Sequence, residues 1–277
     1  MLERSKKLSV HVRYNTQVAR INETTDSVNV SFQNGDVESY ELVVGADGIH
    51  SGLRKMVFGE EHQFSHYLGY GVAAFQTAHR DEIGSSVKIY QEPNRSSIYY
   101  PVSGKAMDSV FLFPCENTER VAKEDYKNVL LNTYAGSKWI NQEVIQNTPN
   151  DSIGFFDVLK QIQMPTWMKS RVCLVRDACA CLSPIAGQGA STAMLEAYVL
   201  SNELKKSTNV QECLARYESI LKPDIECRQA LARHIANRFV PASVKEIVWY
   251  RWLTRMEFSS LLVHRTANGF KGKIHQI

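Results

Sequence analysis

Residues 171–200 read RVCLVRDACACLSPIAGQGASTAMLEAYVL, and the order of local structures they encode constrains the chain more than any other stretch. A short β-branched, apolar run predicts a buried strand, and Asp177 stands at its end. Ser183-Pro184 then turns the chain, and Gly187-Gln188-Gly189 lets the backbone approach a ligand closely. An alanine-rich helix follows from Gly189 to about Leu204. A carboxylate at the carboxyl end of a strand can accept two hydrogen bonds from a ribose diol. The free N–H groups and positive dipole end of the following helix favour a pyrophosphate or a polarised carbonyl oxygen.

An earlier segment, LVVGADGIHSGLR at residues 42–54, repeats the logic. A buried strand ends in Gly45-Ala46-Asp47-Gly48, a tight turn carrying a carboxylate, and Ser51 and Arg54 open the helix after it. Two roles for Arg54 stand side by side: a charge-assisted contact to a phosphate, or a surface ion pair with Asp47 or Glu60.

Composition narrows the function classes. With 277 residues, 44% hydrophobic and 22% charged, the chain reads as soluble and globular, long enough for two domains. A net charge of +3 is too mild to imply nucleic acid, and no nucleic-acid-reading motif is present. The six cysteines form no CxxC pair and Cys179-Ala180-Cys181 has no second half, so neither a metal site nor a disulfide framework is expected. The start, MLERSKKLSVHVRY, lacks the apolar core of a secretion signal, and no apolar run reaches about 20 residues. A cytoplasmic location is the expectation.

Periodicity outlines an α/β (α+β) organisation. LSVHVRY, QVARINE, SVNVSFQ and ESYELVVG read as strands, with Asn34-Gly35-Asp36 as a hairpin turn. Residues 68–77, 86–92, 96–102 and 108–114 read as an antiparallel sheet of a separate domain. A helical pattern covers 118–146, and a long helix spans Val210 to about Phe239, with Pro223 inside it. The tail from Ser243 to Ile277 mixes Trp249, Trp252 and Phe258 with Arg251, Arg255, Arg265 and Lys271. It fits either a helix packed on the body of the protein or weak contact with an anionic membrane surface. The expected division is 1–60 and 156–206 for one domain, 61–155 for the inserted sheet domain, and 207–277 for a C-terminal helical region.

GADGIHSGLR and RDACACLSPIAGQGAS, in this order, resemble the second and third fingerprints of the FAD-dependent aromatic hydroxylases. This flavoprotein monooxygenase group includes p-hydroxybenzoate hydroxylase, ubiquinone-biosynthesis hydroxylases and tetracycline-inactivating monooxygenases. Trp167 before Arg171-Val172, and Ala215-Arg216-Tyr217-Glu218 with Pro223 downstream, agree with it. The resemblance covers essentially the whole chain. It implies an incomplete FAD/NAD(P)-binding Rossmann-like domain, an inserted antiparallel-sheet substrate domain and C-terminal helices. It further implies FAD as cofactor, NAD(P)H as reductant, and O2 with a small organic, usually aromatic, substrate, oxygen being transferred from a flavin C4a-hydroperoxide.

Carried over by position, Asp177 matches the aspartate on the ribitol or ribose side of FAD. Pro184, Gly187, Gln188, Gly189 and Ala190 match the loop and helix start beside the pyrophosphate and flavin pyrimidine ring. Asp47 and Gly48 match the turn that faces the pyrophosphate and is linked to nicotinamide-cofactor use. No catalytic residue is assigned; Tyr70, His79, Tyr99 and Tyr100 are substrate-pocket candidates by position.

Three departures accompany the resemblance. The family's GxGxxG unit, which would precede Met1, is expected either in a truncated front part or on a separate N-terminal chain. Arg176 stands where the family has Gly, and Ala180 replaces a frequent His. A non-catalytic binding module and a flavin-dependent reductase are therefore the alternative readings.

Overall fold

The computed structural model describes residues 8, 10–102, 106–116, 121–184 and 187–258. The chain divides into two compact units, residues 1–66 with 160–230 and residues 67–159 with 231–277.

The first unit opens with an antiparallel meander, β1 (Val18–Glu23), β2 (Val28–Phe32) and β3 (Val37–Tyr40). Gly35, at φ +93°, makes the β2–β3 turn with Asn34 and Asp36, a conformation that glycine adopts without a Cβ penalty. Alternation along β2 sends Val28 and Val30 into the core. The chain then enters β4 (Val43–Gly45), which pairs in parallel with β11 (Val172–Leu174), while β10 (Met168–Lys169) lies antiparallel on β11's other edge. Helix α4 (Gly189–Lys206) and the first part of α5 (Val210–Phe239) also belong to this unit. Trp167, Val172, Leu174, Leu53, Val199, Leu214, Tyr217 and Leu221 share its buried core.

The second unit carries a five-stranded sheet in the order β6-β7-β8-β5-β9. Its strands are β5 (Ser65–Ala78), β6 (Lys88–Glu92), β7 (Arg95–Pro101), β8 (Ala106–Pro114) and β9 (Phe155–Ile162). One face buries Phe75, Tyr99, Phe111 and Phe113 with residues of α2 (Tyr126–Thr133) and α3 (Asn141–Asn147). Phe75 stacks on Phe111 at 5.3 Å, and Tyr134 meets Phe111 edge-on at 5.0 Å, arrangements that aromatic quadrupoles favour. The buried Tyr134 hydroxyl donates to the carbonyls of Ser96 and Leu112, so the core closes without an orphaned phenol.

Several expectations are corrected. Leu8 and residues 10–14 lie outside any strand, their apolar side chains exposed. ESYELVVG is two strands in two sheets, because the chain changes sheets at Glu41-Leu42. The helical pattern of 118–146 breaks into α2 and α3 where Gly136 and Trp139 adopt positive φ; its start at 118–120 lies outside the described residues.

Leu214, Tyr217, Leu221 and Ile225 of α5 enter the first unit's core, whereas its end belongs to the second unit, where Tyr70 donates to Asn237 and Gln91 to the Arg238 carbonyl. Helix α6 (Val244–Phe258) carries Trp249 and Trp252, stacked at 5.2 Å and half exposed. The tail residues 259–277, with Arg265 and Lys271, lie outside the described residues. Among the described residues, no helix is long and apolar enough to cross a membrane.

Candidate cofactor site

The parallel pairing of β4 with β11 is what assembles the site. Gly45 sits opposite Leu174, and the Val175 N–H donates to the Gly45 carbonyl at 2.9 Å, so both strands end side by side. The two acidic turns therefore leave from adjacent carboxyl ends of parallel strands, the place where open α/β sheets bind ligands. Gly45 permits this closeness: a Cβ there would come within 2.6 Å of Leu174 Cδ2 and Leu53 Cδ2.

In the first turn, Gly48 adopts φ +82° with open space where a Cβ would stand. The exposed Asp47 carboxylate accepts from the Ser51 hydroxyl at 2.5 Å and from the Leu53 N–H at 2.9 Å. Ser51 in turn accepts from the Arg54 N–H, so the pair caps α1 (Gly52–Val57). Asp47 is thus already committed to the start of a short helix.

Arg54 departs from the expected surface ion pair. It is 1% exposed, and its guanidinium donates to the carbonyls of Ala178 at 2.8 Å and Ile49 at 2.6 Å and pairs with Glu61 at 3.2 Å. In place of a surface pairing with Asp47 or Glu60, it braces the two turns. Burial lowers its basicity, opposed by the charges of Glu61 and Asp47. Burial would also push the Glu61 carboxyl up, but Lys160 at 2.6 Å, and then His50, hold it below its ordinary value.

In the second turn, one turn of 3-10 helix at Arg176–Ala178 presents Asp177, whose side chain is 44% exposed. The chain passes Ser183, at φ +76°, and Pro184; residues 185 and 186 lie outside the described residues. Gly187 follows at φ +62° with open space around it, its N–H donating to the Pro184 carbonyl. Gln188 precedes α4 without a side-chain cap, since its Oε1 accepts instead from Arg228 Nη1 at 2.5 Å. Gly189 and Ala190 thus begin an 18-residue helix whose first N–H groups have no side-chain cap from Gln188. The Ser183 hydroxyl nearby is buried without a hydrogen-bond partner. An uncapped helix start, a left-handed glycine with free space and an orphaned hydroxyl fit a phosphate-bearing cofactor such as FAD.

Sequence reasoning missed Glu196. Its side chain is completely buried, yet its Oε2 accepts from the Arg176 N–H at 2.7 Å and from the Tyr217 hydroxyl at 3.2 Å. Burial pushes its carboxyl above the usual range, against the Arg176 amide and charge. The signal was present: Thr192, Glu196, Val199, Leu200 and Glu203 share the buried stripe of α4, so helical spacing alone places a carboxylate inward.

Trp167 and Tyr217, singled out in the sequence, are core residues with rings 5.8 Å apart, and Glu218 accepts from the Trp167 N–H. Burial raises the thiols of Cys173 and Cys181 to about 12, so neither is a nucleophile at neutral pH.

Of the substrate-pocket candidates, Tyr99 faces the closed core of the second unit and donates to Asn141 at 2.5 Å. Tyr100 points to the opposite face and is 40% exposed, and Tyr70 donates to Asn237. His79 follows β5, partly exposed. Among the described residues, no group of three or more His, Cys, Asp or Glu is placed to hold a metal ion.

A family profile described as the FAD binding domain matches residues 1–235. The chain is 30% identical over 232 residues to a flavin-dependent monooxygenase from an unknown prokaryotic organism, covering 82% of this chain and 60% of that protein. It is likewise 30% identical over 233 residues to a flavin-dependent monooxygenase of Legionella longbeachae, covering 82% and 59%. It thus spans about three fifths of the length of these curated relatives. Among solved structures it is similar to the tetracycline destructase Tet(55), with a TM-score of 0.74 and 27% identity over 86% of this chain and 65% of that one. Klebsiella pneumoniae HpxO, complexed with FAD and uric acid, shares the fold at a TM-score of 0.76 and 22% identity, over 97% of this chain and 69% of that one.

Proposed function

Because this chain belongs to the FAD-dependent aromatic hydroxylase family of flavoprotein monooxygenases, we propose that it forms the flavin-facing and substrate-binding parts of an NAD(P)H- and O2-using monooxygenase. The observation that carries this reading is the side-by-side exit of the Asp47 and Asp177 turns from parallel β4 and β11.

Asp177, Pro184 and Gly187 to Ala190 would hold FAD, with Asp47 and Gly48 on the neighbouring turn. The α4 start would offer backbone N–H groups and its dipole to the pyrophosphate, and Asp177 would accept from the sugar hydroxyls. Bound FAD, reduced by NAD(P)H, supplies the chemistry that puts one oxygen atom of O2 onto an organic substrate. The chain's own residues bind, orient and exclude water. Arg54 keeps the two turns in register, and the un-ionised buried thiols add no competing nucleophile.

The tetracycline destructase and the uric acid complex among the similar structures point to a polar, ring-containing substrate. A cytoplasmic location suits such chemistry. The free edge of β4, paired only with β11 among the described residues, suits a further parallel strand, from the same polypeptide or a separate chain carrying the family's glycine-rich unit.

Titration of the purified chain with FAD, read by quenching of flavin fluorescence, tests this reading. Saturable binding that Asp177→Ala weakens about tenfold, with the circular dichroism spectrum of the folded chain retained, is expected. Absence of binding, with and without a supplied βαβ segment, overturns it.

A further inference from the structure

Arg176 is in a conformation its residue type resists. Its φ is +58°, in the left-handed region that suits glycine, and the backbone is held there because its N–H donates to the buried Glu196. That geometry turns its side chain across the cradle. Nη2 lies 3.1 Å from Asp177 Oδ1 and stands 3.3 Å from where a Cβ on Gly189 would be, at the first residue of α4. Nη1 is buried 3.8 Å from Glu196 Oε1, and neither atom has a partner within hydrogen-bond distance.

A cation at a helix N-terminus opposes the helix dipole, so its presence there needs compensation. Asp177 and Glu196 provide it. The guanidinium is therefore compensated by the chain's own carboxylates, the part-exposed Asp177 and the buried Glu196, and occupies both the space beside Gly189 and the Asp177 oxygen.

We propose that Arg176 is a latch on the cofactor cradle: FAD enters only by displacing its guanidinium from Asp177 and from the start of α4. This rests on the reading of the cradle as an FAD site. The competition is for one carboxylate and one volume, and it lowers apparent affinity by the fraction of molecules in which the latch is open. A guanidinium that instead served as a phosphate ligand would reach the anion without surrendering its own carboxylate partners. The pairing with Asp177, the group assigned to the sugar hydroxyls, argues against that arrangement.

FAD titrations of the wild-type chain, Arg176→Ala and Arg176→Gly, read by flavin fluorescence, test the latch alongside amide hydrogen exchange at Gly189 to Ser191 without FAD. Arg176→Gly suits the positive φ and serves where alanine strains the turn. The expected result is FAD affinity about tenfold tighter in both variants, with faster exchange at the helix start. Equal or weaker affinity in both variants, with FAD still bound by the wild type, overturns the latch and makes Arg176 neutral or a phosphate ligand. Unchanged exchange likewise removes the guanidinium from the helix start. Failure of all three chains to bind FAD overturns the cofactor reading itself and the competition with it.

Discussion

Arg54 Nη1 donates to the Ala178 carbonyl oxygen at 2.8 Å, joining residues 124 positions apart in sequence. One fully buried guanidinium thereby ties the turn after β4 to the turn after β11. The strand pairing brings the turns together, and Arg54 fixes their separation.

Replacing Arg54 with Met strands the buried Ala178 carbonyl and the part-buried Ile49 carbonyl and removes one partner of Glu61, so it should cost about 3 kcal/mol. Lysine, with a single ammonium in place of the planar fork, should recover less than half of this. Urea denaturation reads both; a loss below about 1 kcal/mol for Arg54→Met would show that the turns hold without the brace.

Asp47 caps α1 through Ser51 and Leu53. Asp47→Ala should therefore destabilise the cofactor-free chain by about 1 kcal/mol, as loss of an N-terminal cap does. Thermal unfolding without FAD checks this, and an unchanged midpoint would leave ligand binding as the residue's only role.

Glu196 and Glu61 should act on stability in opposite directions with pH. Glu196 has a raised carboxyl in the folded state, so its contribution is complete below the ordinary carboxylate range and fades as pH rises through the folded value. Glu61, held low, contributes above the ordinary range and fades as pH falls through its folded value. Urea midpoints from about pH 4 to about pH 8 should show wild type losing ground to Glu196→Gln as pH rises, and to Glu61→Gln as pH falls. Parallel curves for all three proteins would contradict both assignments.

Gly45→Ala would press a methyl against Leu174 and Leu53, both buried. Overpacking of this kind costs about 1–3 kcal/mol. Because β4 pairs with β11 at this residue, circular dichroism melts should show the loss without any added ligand.

Arg176→Gly should be more stable than Arg176→Ala by about 1 kcal/mol, because only the glycine relieves the positive φ while both lose the same ion pairs. Comparing the two variants cancels the side-chain contribution. Equal melting temperatures would mean the backbone relaxes out of the left-handed region.

Much of the local order was legible. The helix beginning at Gly189, the 210–239 helix and the Asn34-Gly35 hairpin follow from turn chemistry and periodicity, which act over a few residues. The segment at 8–14 alternates like a strand, but Leu8 and residues 10–14 remain outside any sheet, since alternation describes a half-buried face and cannot supply a neighbour. The single helical pattern over 118–146 likewise concealed the break at Gly136, where a left-handed residue ends one helix before the next begins.

The sequence by itself determined two strand–turn–helix units with acidic turns, the glycines that let them bend, and the family they belong to, because propensity and turn stereochemistry are properties of neighbouring residues. Tertiary structure alone decided that Arg54 points inward, that Glu196 lies buried beneath the Arg176 amide, and that the Arg176 side chain crosses to Gly189. Each depends on which distant surfaces meet. A charged group stays inside only where residues far along the chain supply its counter-charges and carbonyls, and no local signal encodes that meeting.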